Sequence, residues 1–179
     1  MRVFAWLMVL VMSPMVSAAG GDDQQWPTQD GPVTVVWQSP DDYRDVRASS
    51  GRQDRYENHV FATLGKEFQK RLQPTLAEGE TLTIVVTDLD LAGDVRPSFG
   101  AAANDIRVVK SIYPPGINFQ WTLKGADGKA IASDSVEIRE LNFENTASKM
   151  RYQSEALHYE LRMIERWVDR DLPEKLASR

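Results

Sequence analysis

The segment Ile117–Lys124, Ile-Asn-Phe-Gln-Trp-Thr-Leu-Lys, alternates apolar and polar side chains without a break. A period of two fits a strand with one buried face and one wet face. Ala126-Asp127-Gly128-Lys129 follows with the turn chemistry of a hairpin, and Ile131–Leu141 can run back as the partner strand. A chain that holds such a hairpin must cover Phe119, Trp121 and Leu123 with a second layer.

Two helical stripes can supply that layer. From Asp54 to Gln73 the apolar residues Tyr56, Val60, Phe61, Leu64, Phe68 and Leu72 recur at spacings of three and four, and Pro74 ends the run. A last helix is expected from about Ser154 through Leu157, Leu161, Ile164, Trp167 and Val168, broken near Pro173. Ahead of the first helix, Val33-Thr34-Val35-Val36-Trp37 reads as a buried strand that stops at Ser39-Pro40-Asp41-Asp42. Behind it, Thr81–Thr87 reads as a second strand, and a strand-helix-strand unit favours parallel pairing. Gly93–Asn104 is expected to be a loop, Ile106–Lys110 a third strand antiparallel to the second, and Asn142–Gln153 irregular. The sum is an α+β fold: a two-layer sandwich with a mixed sheet of about five strands and two amphipathic helices on one face, in a single domain over residues 33–179.

The amino terminus reads as an address. Arg2, the apolar run Val3–Val16 and the small residues Ser17-Ala18 match a signal peptide over residues 1–18, cleaved after Ala18. Ser13-Pro14 interrupts the run, which is too short for a stable membrane anchor. Residues 19–32, with paired Gly, Asp and Gln, read as a flexible lead-in. Of 21 basic side chains only Arg2 lies in the leader, so 26 acids face 20 bases beyond it. That balance disfavours nucleic acid as a partner. The chain has no cysteine, which removes disulfides, thiol catalysis and a lipid-acceptor residue.

Thr87-Asp88-Leu89-Asp90-Leu91-Ala92-Gly93-Asp94-Val95-Arg96-Pro97 and Asp105-Ile106-Arg107-Val108-Val109-Lys110-Ser111-Ile112-Tyr113-Pro114-Pro115 resemble the signature of domain-of-unknown-function family 3016. The resemblance runs from Val33–Trp37 through Tyr159–Trp167. It implies an exported, periplasmic protein of a proteobacterium and brings no activity, ligand or catalytic residue with it.

Three triplets carry chemistry: Asp45-Val46-Arg47, Asp94-Val95-Arg96 and Asp105-Ile106-Arg107. With the first two strands parallel and the third returning, all three fall at one sheet edge, outside the strand carboxyl ends where open sheets hold ligands. Arginine forks there suit a carboxylate, phosphate or sulfate. The plainer reading makes each triplet a loop staple, the aspartate bonding turn amides and the arginine pairing with an acid. Tyr113, in a proline turn, is the aromatic expected at the surface, whereas Phe119 and Trp121 are expected in the core rather than in a lipid or peptide groove. Asp88, Asp90 and Asp94 begin like a calcium loop, so calcium or magnesium is a candidate, but Ala92 and Phe99 fall where ligands belong. His59 and His158 flank helix stripes, and no serine elbow, phosphate loop or zinc helix is present.

The residues thus point to a binding module for an envelope component or a protein partner, with Asp45, Arg47, Asp94, Arg96, Asp105, Arg107 and Tyr113 as the contact edge. A metal-dependent hydrolase built on Asp88, Asp90 and Asp94 is the alternative, and a structural assembly subunit the third class.

Overall fold

The computed structural model describes residues 26–97, 105–144 and 157–177. The expected leader, the Ser154 cap and most of the irregular 142–153 stretch lie outside them. Among the described residues seven strands and three helices follow in chain order: β1 (Trp26–Asp30), β2 (Val33–Trp37), α1 (Gln53–Leu72), β3 (Thr81–Asp90), β4 (Asp94–Arg96), β5 (Ile106–Val108), β6 (Gly116–Lys124), β7 (Ala130–Arg139), α2 (His158–Arg166) and α3 (Leu172–Ala177). Five strands form one mixed sheet in the order β1-β2-β3-β6-β7, and β4-β5 form a separate ribbon.

The expected β2-α1-β3 unit is present, with β2 and β3 parallel and α1 as the connection. The hairpin β6-β7 is also as read, Trp121 facing Asp134 across it, with Gly128 at φ 76° and Lys129 N–H donating to Asp127 Oδ1 at 3.0 Å in the turn. Val33, Val35 and Trp37 of β2, Leu82, Ile84 and Val86 of β3, and Phe119, Trp121 and Leu123 of β6 all point into one core. Trp37 stacks on Phe61 at 4.8 Å, and Phe119 meets Trp167 edge-on at 4.8 Å and Phe68 at 5.5 Å. The aromatic groove weighed for Phe119 and Trp121 is therefore filled by the protein's own helices. Arg71 ties the two helices together, reaching Glu67 on its own turn and Glu165 of α2 at 2.9 Å.

Four expectations need correction. Trp26–Asp30, placed in the lead-in, pairs antiparallel with β2 through the tight Gly31 turn at φ 59°. The third strand does not return beside β3; that place is taken by β6, while β5 pairs with β4, which was read as loop. Gly93 makes this possible: it sits at φ 94°, and a Cβ there would lie 2.8 Å from the Val108 carbonyl, so a side chain would push the ribbon away. Pro173 does not end the last helix. The turn Trp167–Asp171 is a π-helix in which Leu172 N–H bonds to the Trp167 carbonyl five residues back, and α3 continues through the proline. A tight α-turn would set the proline ring against the carbonyl four residues earlier, which the wider turn relieves.

The last correction concerns β3, expected to stop at Thr87 and observed to reach Asp90. Strict alternation from Leu82, Ile84 and Val86 would drive Asp88 and Asp90 into the core. A bulge between Val86 and Asp88 shifts the phase by one, so that Leu89 is buried and Asp88 and Asp90 turn outward.

Candidate functional site

The bulge aims the end of β3 at the edge where the carboxyl ends of β2, β3 and β7 meet. After β2 the chain makes a 3-10 turn at Pro40–Asp42 and returns along β3: Asp45 N–H donates to the Leu89 carbonyl at 3.2 Å, and Leu91 N–H to the Asp45 carbonyl at 3.1 Å. Asp45, Asp90, Gly116 and Arg139 then stand in one register row across four adjacent segments. Gly116 leaves an open place in that row, so Arg139 reaches over it to Asp90 Oδ2 at 3.0 Å.

A cleft of about 530 Å³ opens here, walled by the 40–47 segment, the start of α1, the β3–β4 turn, the 112–113 turn and Arg139. Arg44 spans Asp88 Oδ2 at 3.0 Å and Asp90 Oδ2 at 3.7 Å with its side chain half-exposed. Burial pushes the Asp90 carboxyl above the usual carboxylate range, and Arg139 and Arg44 pull it back only in part. Arg47 is exposed and, among the described residues, carries no ion pair. Ile112, 70% exposed, stands on the cleft as an apolar lip.

Of the residues expected at the edge, Asp45, Arg47, Asp94 and Tyr113 line this cleft. Arg107 is a staple, as the plainer reading had it. Its Nη1 donates to Asp45 Oδ2 at 2.8 Å and its Nη2 to the Arg47 carbonyl at 2.8 Å. Burial works against the Arg107 charge, and Asp45 outweighs it, so the guanidinium is held more firmly protonated than usual. Arg96 pairs locally with Asp94 at 2.9 Å and donates to the Tyr113 hydroxyl, its guanidinium 5.4 Å from that ring. Asp105 does not line the cleft. Among the described residues no three His, Asp or Glu side chains gather to hold a cation; Asp88 and Asp90 are bridged by Arg44, and Asp94 by Arg96.

Behind the cleft, Arg107 also borders a small chamber of about 70 Å³ shared with Tyr56, His158 and Glu160. Glu160 is 2% exposed and accepts the Ala92 N–H at 2.7 Å. Burial raises its pKa, with that hydrogen bond and the Arg107 charge opposing. Sequence reasoning missed Arg44, Arg139, Gly116 and Glu160. Glu160 left a signal: it stands in the apolar stripe between Leu157 and Ile164, where an acid must be either buried or misplaced. Arg139 left none, because its reach over Gly116 depends on the hairpin register.

A family model described as "Protein of unknown function (DUF3016)" matches residues 31–170. No curated protein and no solved structure matches the chain. Among the described residues no helix is long and apolar enough to cross a membrane.

Proposed function

The chain belongs to the DUF3016 family, and we propose that it is an exported, periplasmic binding module that holds an envelope component or a segment of a protein partner in this charged cleft. One observation carries the reading: polar groups from five separated stretches of chain converge on a single concavity, and its ion pairs are already formed. Groups fixed in advance lose little freedom when a ligand arrives, which is where a binding site gains affinity. The polar lining with one apolar lip suits a partner that is itself polar and chain-like, rather than a lipid tail.

Photocrosslinking in the native host tests this. A photoreactive residue at Ile112 is expected to trap a partner, and one at Gln120, on the wet face of β6, is not. Adducts at position 120 alone, or at neither position, would remove the cleft as the contact surface.

A further inference from the structure

Arg44, Arg47 and Arg139 differ from the other arginines of this edge in what they leave unspent. A guanidinium carries five N–H donors in a fixed fork. Arg139 gives one strong bond, to Asp90, and its side chain stays 41% exposed. Arg44 gives one close contact to Asp88 and a longer one to Asp90, and stays 53% exposed. Both address the same oxygen, Asp90 Oδ2, whose side chain is 14% exposed. A largely buried carboxylate thus holds two half-exposed guanidiniums on the cleft wall, with most of their donors unpaired among the described residues. Arg47 adds a third on the 40–47 wall.

Resting on the binding reading above, we propose that the ligand presents a monoanionic oxyanion, a carboxylate or a phosphodiester, gripped by Arg44 and Arg139 with Arg47 closing from the rim. Geometry supplies the class: paired planar forks match two-oxygen acceptors. Charge supplies the valence. Three guanidiniums against Asp88 and Asp90 leave one positive charge at the grip itself, Asp45 is neutralised by Arg107 and Asp94 by Arg96, and Asp41 and Glu57 on the rim turn the balance of the whole cleft to one negative charge. Asp41 and Glu57 also line the cleft and repel a second negative charge on the ligand. They favour an oxyanion that carries hydrogen-bond donors or a cationic group nearby.

Calorimetric titration of the folded protein with four probes tests the assignment: N-acetylalanine, dimethyl phosphate, N-acetylalaninamide and sulfate. One or both monoanions are expected to bind, and which of the two does so separates a carboxylate source from a phosphodiester source. The neutral amide is expected not to bind, and sulfate to bind no more tightly than the monoanions. Arg139→Gln should weaken the bound probe about tenfold, the scale of one charge-assisted hydrogen bond. Arg139→Lys, which keeps charge and loses the fork, should fall between the two. Equal binding of the amide, tighter binding of sulfate, or indifference to both Arg139→Gln and Arg44→Gln in variants with native melting temperature overturns the proposal. If crosslinking at Ile112 succeeds while every anion fails, the oxyanion assignment falls and the binding reading stands. If the anions bind at Arg139 and no partner is trapped, the reverse holds.

Discussion

Arg107 and Arg139 each meet an aspartate of the same sheet row, at 2.8 Å and 3.0 Å, yet they do opposite work. Arg107 is 17% exposed, and besides Asp45 it satisfies the Arg47 carbonyl, so its fork is committed to holding the 45–47 segment against the β4-β5 ribbon. Arg139 is 41% exposed and commits a single close bond. Similar distances therefore say little about role; the count of donors left over and the exposure of the guanidinium decide whether an arginine is a staple or a hand.

Breaking the staple should cost most. Arg107→Gln leaves Asp45 and the Arg47 carbonyl without their donor at a part-buried site, and chemical denaturation should show a loss of about 2–4 kcal/mol. A loss below that of Arg139→Gln would erase the distinction.

Glu160 tests the same staple from the chamber side. Glu160→Ala strands the Ala92 N–H and should cost about 1–3 kcal/mol. Because burial raises the Glu160 pKa, the folded state holds the proton more tightly than the unfolded chain does. The stability this gives is complete below the ordinary glutamate range and is lost as pH rises through the raised value. Unfolding measured from acid to neutral pH should show that decline, and Glu160→Gln, which keeps an acceptor for Ala92, should flatten it. Asp90, shifted in the same direction by burial, leaves a smaller slope of the same sign. A slope unchanged in Glu160→Gln would move its source elsewhere.

The exposed arginines come last in stability. Arg139→Gln should change folding by less than about 1 kcal/mol, because its own side chain is half-exposed and Arg44 stays beside Asp90, while weakening anion binding about tenfold. Arg96→Gln breaks a pair that is 50% and 42% exposed and local in sequence. It should leave the unfolding midpoint in place and weaken anion binding less than Arg139→Gln does. Loss of binding in Arg96→Gln equal to that in Arg139→Gln would move the grip toward Tyr113.

The same contrast marks what the sequence disclosed. Periodicity named the hairpin, the parallel pair and both helical stripes, because each buries a repeating face large enough to leave a pattern. It also held the phase shift of β3, in Leu82, Ile84 and Val86 followed by Leu89 and Leu91, a change of parity that forces a bulge. The three-residue strands β4 and β5 are too short to carry a period, and their pairing rests on Gly93, where a Cβ would lie 2.8 Å from the Val108 carbonyl. The triplets fall near one edge of the sheet, but nothing in them shows the division of labour within it. Arg107 and Arg47 look alike in sequence, and only the fold shows that one is spent while the other, among the described residues, carries no ion pair. Arg44 adjoins a triplet without belonging to it, and Arg139 enters from the far end of the hairpin.

Nuclear magnetic resonance of the arginine side chains tests the central contrast most directly. With dimethyl phosphate or N-acetylalanine added to the folded protein, the Nε–H signals of Arg139 and Arg44 should shift together along one binding curve while that of Arg107 stays in place. Shifts confined to Arg107, or spread evenly over all the arginines, would contradict the account.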